Sequence, residues 1–397
     1  MSDNLCEMSL QQTLSLLHLT DLALRDICCK RFTRDTLYQE VLGKVLGGKG
    51  RRGPASIFLV FQDASGVLQP GRVFHMKDGS LVERSDEIAL DPLSGYAVNL
   101  LEAQSQEEVV LVNWADSYES IEDFQSYFHP AVKNFISSPI INFIICRISG
   151  EVPGAIVAIN YPGKATTYDA EVLKSMAVVI GSLQTISDEV QETEKAFRYT
   201  IEALARACEA AEEDTGKHIQ RVNRYAGALA ANMGLPNDFV ETVSFSAQMH
   251  DVGKIKIPAS ILLKNGPLDD AETALIRMHP VYGRQILGDS PRLQVARDIA
   301  ISHHENWDGS GYPNRLAGEN IPLAGRIVKL ADVYDALRSN RSYKTPLTHQ
   351  ATLSIFRNGD ERINPEKHFD PVLLGVFFKI EHIFDKIYES FNVNPAN

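Results

Sequence analysis

Apolar residues keep two different rhythms along this chain. In "ASIFLVFQDASGVLQPGRVFHMKDGSLVE" (55–83) and "INFIICRISGEVPGAIVAINYP" (141–162), β-branched and aromatic runs alternate with Gly and Asp turn signals. That rhythm predicts strands of one antiparallel sheet, with Gly150 and Gly154 punctuating a hairpin. Helical spacing precedes it, since Leu16, Leu19, Ala23 and Ile27 fall on one face of a segment running to about residue 45. "YDAEVLKSMAVVIGSLQTI" (168–186) predicts a helix after the last strand, and beyond about residue 195 the pattern is helical almost throughout. From Met176, apolar positions step by four and three through Ile180, Leu183, Val190, Phe197, Ile201, Leu204 and Cys208, with Ser187 and Glu194 in the same stripe. Such an a/d-like repeat predicts one long helix that pairs with its copy in a homodimer. The same spacing also fits two shorter helices, each packed on its own domain. No internal repeat or low-complexity tract interrupts this plan.

Composition narrows the class. At 397 residues the chain exceeds one core at roughly 100–200 residues per domain, so two domains are expected. Hydrophobic residues at 44% and charged residues at 23% describe an ordinary globular protein. A net charge of -12 argues against a nucleic-acid polymer as partner. A small anionic substrate fits if metals or a few Lys and Arg offset that charge locally. The five cysteines (Cys6, Cys28, Cys29, Cys146, Cys208) contain no CxxC pair, which points to reduced thiols. No apolar run approaches the ~18–20 residues that span a bilayer. The start "MSDNLCEMSLQQ" has neither a basic n-region nor an apolar h-region. The expectation is a soluble, cytoplasmic protein without a membrane segment.

Candidate chemistry gathers in the helical half, where eight of the eleven histidines lie beyond residue 200. "EEDTGKH" supplies Asp214 and His218, "MHDVGKIKIP" supplies His250, Asp251 and Lys254, and "MHPVYG" supplies His279. "SHHENWDGSGYP" adds His303 and His304, and "KLADVYDAL" adds Asp332. Divalent transition metals take imidazole and carboxylate ligands, usually three or more per ion, so eight candidates suffice for two or more metals. Asp214 and His218 are four residues apart and project from one helical face. Asp251, with two oxygens, is the natural bridge. Taken alone, His279 would be an ordinary core or surface histidine, and Asp332 and Asp335 could be solvated helix residues. The "MHDVGKI" context weighs the other way, because a His-Asp pair at the end of an apolar run is costly to desolvate without a partner.

"HDVGKIKIP", "HPVYG", "HHENWDGSGYP" and "KLADVYDAL" resemble, in this order, the HD-GYP subgroup of the HD-domain metal-dependent phosphohydrolases. The resemblance covers roughly residues 195 to 380. It implies an all-α helical bundle around two or three divalent metals, commonly iron with manganese also used, and hydrolysis of the cyclic dinucleotide c-di-GMP. Carried over, His218, His250, Asp251 and Asp332 look like the ligands of one metal, and His279, His303 and His304 those of a second, with Asp251 bridging. Asp214 stands where trinuclear members carry Glu, one methylene longer, with Glu212 and Glu213 as substitutes. Lys254 matches the lysine of HDxGK, near the scissile phosphate. Tyr312, Arg341 and Lys344 stand where substrate contacts are expected, and the GYP loop also implies a site for a protein partner. The strand-then-helix layout before it resembles a GAF domain. The expected organisation is therefore an α+β GAF-like regulatory domain (1–175, an antiparallel sheet with flanking helices), a long connecting helix (176–200) and the HD-GYP catalytic domain (201–397).

Two metals would activate a bridging water and clamp phosphate oxygens for in-line attack, with Lys254 adding a charge-assisted bond. The enzyme expected is a cyclic-dinucleotide phosphodiesterase, regulated by the N-terminal domain and yielding pGpG or GMP. One alternative substrate is 3′,3′-cGAMP or another nucleotide. Another reading is a dinucleotide- or partner-binding signalling module with little turnover.

Overall fold

The computed structural model describes residues 42, 53–62, 68–77, 80–84, 109–136, 138–148, 154–209, 217–339 and 345–392. The helix expected over residues 16–27, together with Asp214, Glu212, Glu213, Arg341 and Lys344, lies outside the described residues. The chain divides into two compact units between Lys195 and Ala196.

In the first unit, β1 (Ser56–Gln62), β2 (Leu68–Lys77), β3 (Ser80–Arg84), β4 (Val109–Asn113), β5 (Asn142–Ile148) and β6 (Gly154–Ile159) form one sheet. Their order is β3-β2-β1-β6-β5-β4. Every pairing is antiparallel, and β5 and β6 form the expected hairpin, from Phe143 opposite Ile159 to Ile148 opposite Gly154. Period-two alternation sends Ile57, Leu59, Ile144, Cys146, Ile148, Ile156 and Ala158 to one face. They pack on Leu173, Met176, Ala177, Ile180 and Leu183 of α3 (Thr167–Glu209). Phe58, Val73 and Ile159 point the other way, to Phe124 of α1 (Ile121–Ser126) and Ile136 of α2 (Pro130–Ile136). Both faces are covered, which is why the strands read as nearly unbroken apolar runs.

Part of the a/d stripe is buried within the chain itself. Met176, Ile180 and Leu183 are spent in the core of the first unit, while Ile201 and Cys208 are buried in the second with Ile219, Met249 and Val252. At these positions the stripe follows the chain's own cores, as local packing requires, and the helix that carries it is continuous from Thr167 to Glu209.

The second unit is helical: α4 (Lys217–Asn232), α5 (Asn237–Ser246), α6 (Asp270–Ile276), α7 (His279–Leu287), α8 (Gln294–Ser302), α9 (Leu323–Arg338), α10 (His349–Asn358) and α11 (Pro371–Asn392). Val222, Tyr225, Ala226 and Leu229 give α4 one apolar face. α9 is apolar almost all round, with Ile327, Val328, Leu330, Ala331, Tyr334 and Leu337 buried, so it occupies the bundle's centre. Tyr225 stacks on Phe384 at 4.5 Å and Tyr334 meets the same ring edge-on at 5.0 Å. At roughly 1.5–3 kcal/mol per buried side chain, this layer offsets the cost of the carboxylates that α9 carries inward. No described helix is long and apolar enough to cross a membrane.

Candidate metal centre

Five elements converge on one point. His218 stands in the first turn of α4, and His250 and Asp251 lie between two 3-10 turns, Ala247–Met249 and Val252–Lys256. His279 opens α7, His303 and His304 follow α8, and Asp332 projects from α9. Gly253 permits the closest approach. A Cβ there would sit 1.9 Å from the carbonyl oxygen of His279, so only glycine lets the Asp251 segment rest on α7.

Asp251 faces two ways. Its Oδ1 lies 3.2 Å from His279 Nε2 and 3.8 Å from His303 Nε2. Its Oδ2 lies 3.2 Å from His250 Nε2 and 2.9 Å from Lys254 Nζ. Ligand atoms of Asp251, His279, His303 and His304 all fall within 4.8 Å of one another, as do those of His218, His250 and Asp251. Asp332 Oδ1 stands 3.7 Å from His218 Nε2 and 3.9 Å from His250 Nε2.

The rings are aimed from behind. Nδ1 of His250 is 2.9 Å from the Ala247 carbonyl, that of His279 is 2.8 Å from Ile276, and that of His303 is 3.1 Å from Ala300. A carbonyl only accepts, so each Nδ1 carries a proton and Nε2 is left as the inward-facing atom, whose lone pair is available whenever the ring is neutral. For His218 the backing group is Asp335, whose Oδ2 lies 2.8 Å from Nδ1. Asp335 is fully buried and receives Arg221 through both oxygens, at 2.6 and 2.8 Å, and the Ser339 hydroxyl at 3.0 Å. It is thus no solvated helix residue.

Burial opposes charge on all five imidazoles, and neighbouring carboxylates decide the outcome. Asp335, then Asp332, overcome burial and raise His218, while Asp251 and Asp332 push His250 up to about 9. Burial prevails at His279, and at His303 and His304, reinforced by adjacent imidazoles, it holds the rings well below the ordinary value. Burial likewise disfavours the Asp251 carboxylate, yet Lys254, His250 and His279 keep it ionised far below the usual range.

His250 Nε2 and Asp251 Oδ1 are buried with no hydrogen-bond partner among the described residues. Leaving such groups unsatisfied costs about 1–3 kcal/mol each. Inward lone pairs, an ionised two-sided carboxylate and orphaned donor atoms together fit divalent metals, and this His/Asp cluster could hold them.

A family model described as HD domain matches residues 202–371. Over 307 residues the chain is 31% identical to a protein of Thermotoga maritima named cyclic di-GMP phosphodiesterase, an overlap covering 76% of this chain and 79% of that protein. The chain belongs to the HD-GYP family. Higher identity occurs over shorter spans. It reaches 44% over 202 residues with a Vibrio cholerae protein named 3'3'-cGAMP-specific phosphodiesterase 2, covering 49% of this chain and 36% of the relative. It is 37% over 256 residues with a Vibrio cholerae cyclic di-GMP phosphodiesterase, covering 60% and 50%. The chain spans half the length or less of these two relatives.

The loop that gives the HD-GYP family half its name is held by Glu305, which no motif pointed to, and by Asp308, a support of the turn. Glu305, buried, accepts the amides of Asn314 at 2.7 Å and Leu316 at 3.1 Å. Asp308 closes the turn by accepting from the Ser310 amide and hydroxyl. Gly309 has φ +83°, but Gly311 is required for space instead, since a Cβ would meet the Asn306 nitrogen at 2.3 Å. The Tyr312 ring stacks on His304, with centroids 4.7 Å apart and planes 20° from parallel. Lys329, three residues before Asp332, is buried, and burial pulls its ammonium down to about 8 despite Asp332 and Glu305.

Proposed function

We propose that the chain is a cyclic-dinucleotide phosphodiesterase, with c-di-GMP as substrate and pGpG or GMP as product. The observation that carries this reading is Asp251, whose two oxygens face two separate sets of imidazoles while Lys254 lies against it. Bound metals would supply Lewis-acid activation of water and of the phosphate. Asp251 orients that assembly, Asp332 closes the His218–His250 side, and the Lys254 ammonium stabilises charge developing on the phosphoryl oxygens. Two ions match the two groups, most simply iron or manganese for imidazole-carboxylate ligands, and Asp214 would serve a third. Arg341 and Lys344 would bind substrate phosphate. The relative named for 3'3'-cGAMP supports a second substrate, to be separated by competition between c-di-GMP and cGAMP.

A cytoplasmic location suits such a substrate. The proposed division remains a GAF-like domain at 1–175, a connecting helix at 176–200 and the catalytic domain at 201–397. Regulation through that helix is supported by α3, in which Leu173 to Leu183 pack on the sheet while the Cys208 thiol reaches the Val252 carbonyl at 3.6 Å, one residue from Asp251. A homodimer would use exposed positions such as Tyr199 rather than the buried stripe, and a solution-mass measurement decides it. A protein partner would dock at the GYP loop.

Protein purified without chelator and under controlled redox conditions should contain metal and hydrolyse c-di-GMP. Lys254→Ala should lose turnover while keeping the metal. Absence of both metal and turnover in the wild type sinks the proposal.

A further inference from the structure

The chain is acidic overall, and among the described residues several cations of the catalytic unit are committed. Lys254 lies on Asp251, Arg221 forks onto Asp335, Arg326 pairs with Asp370, and Lys329 is buried. Arg277 differs. It caps α6, two residues before His279, and its side chain is exposed. Its guanidinium makes no hydrogen bond or ion pair with the described residues; the carbon sits 5.4 Å from the centroid of the Tyr312 ring. Tyr312 in turn stacks on His304. One aromatic ring therefore stands between an unengaged guanidinium and a member of the metal-ligand cluster.

A cyclic dinucleotide, on the reading proposed above, brings two phosphates. Metals and Lys254, with Arg341 and Lys344 as proposed above, account for the scissile one, and the second would lie towards the rim. We infer that Arg277 is the substrate-positioning contact for the non-scissile phosphate, held in place by the Tyr312 ring. A guanidinium resting over an aromatic ring keeps its N–H fork free, and that fork matches two phosphate oxygens. Prior placement by Tyr312 reduces the freedom lost when substrate binds. The role of Tyr312 shifts accordingly. With His304 against its ring, it supports Arg277 rather than stacking on a base.

The test uses full-length, metal-loaded protein and three probes: c-di-GMP, c-di-AMP, and bis(p-nitrophenyl) phosphate, which has a single phosphate. Arg277→Ala should lower kcat/KM for both dinucleotides roughly 10–100-fold, mainly through KM. Its loss towards bis(p-nitrophenyl) phosphate should be at least about tenfold smaller, and Arg277→Lys should recover part of the dinucleotide activity. Equal losses on all three probes would mean that Arg277 only props Tyr312 and the metal centre, overturning the inference. A loss confined to c-di-GMP would assign Arg277 to a guanine edge and also overturn it. A wild type inert towards dinucleotides overturns the proposed function and this inference together, whereas an active wild type with an unaffected variant overturns the inference alone.

Discussion

One half of the candidate metal centre is acidic and the other is not. His218 and His250 face Asp332, Asp335 and Asp251, and both are drawn towards protonation, His250 to about 9. Among the described residues, His279, His303 and His304 share the single carboxylate of Asp251 and are held neutral by burial and by one another. Metals bind the deprotonated ring, so the neutral half is already prepared at pH 7 while the acidic half must first release the His250 proton. Its extra carboxylates give something in return, because they offset the charge of a bound cation. Equal imidazole chemistry thus becomes two unequal sites.

The largest test removes what the halves share. Asp251→Asn should deplete metal from both and lower c-di-GMP turnover by roughly 10³-fold or more. Elemental analysis alongside a product assay checks this, and retention of full metal in either half would break the comparison.

Lys329 sharpens the neutral half, since its charge helps keep His304 unprotonated. Its fall from 10.5 to about 8 through burial corresponds to roughly 3 kcal/mol. Lys329→Met should therefore stabilise the protein at pH 7 by an amount of that order, read from chemical denaturation. The sign follows from linkage: between about 8 and 10.5 the unfolded chain holds a proton that the folded chain does not. Wild-type stability therefore rises through that window, and the advantage of the Met variant should close.

Asp335→Asn addresses the acidic half alone. Loss of the carboxylate behind His218 should weaken metal binding there about 10–100-fold, with the His279–His303–His304 half spared. Metal titration of the variant would expose equal weakening of both, the result that contradicts the asymmetry.

The smallest effect is the pH dependence itself. As pH falls through about 9, His250 gains a proton in the metal-free protein, so affinity at the acidic half should drop by up to about tenfold per pH unit per proton. The neutral half should stay flat until the pH falls below the ordinary histidine value. Calorimetric titration in buffers of differing ionisation enthalpy should detect release of about one proton, from the half that holds His250.

Much of this centre was legible in the chain. His250-Asp251, His303-His304 and the spacing of Lys254 lie within contiguous motifs, and local geometry brings them to element ends where two neighbours can serve one cluster. Strand alternation at Ile57 and Leu59, or Ile156 and Ala158, likewise follows from a period of two and two covered faces. Other features were not legible. The a/d stripe through Met176 and Ile201 fitted either a dimer seam or packing within the chain, because helical periodicity records which face is apolar, not which partner covers it. Asp335 looked solvated because its partners Arg221 and His218 are 114 and 117 residues away. Gly311 looked like a turn residue, and only packing against Asn306 shows that the constraint is space.

The sequence by itself determined the inventory: which imidazoles and carboxylates exist, and which helical motifs and strands carry them. Tertiary structure alone decided that Asp251 turns one oxygen to each half, that Asp335 stands behind His218, and that Tyr312 rests on His304 beneath Arg277. The physical reason is range. Backbone periodicity fixes direction over a few residues, whereas an oxygen's partner, and hence a ring's charge, depends on groups brought together from distant parts of the chain.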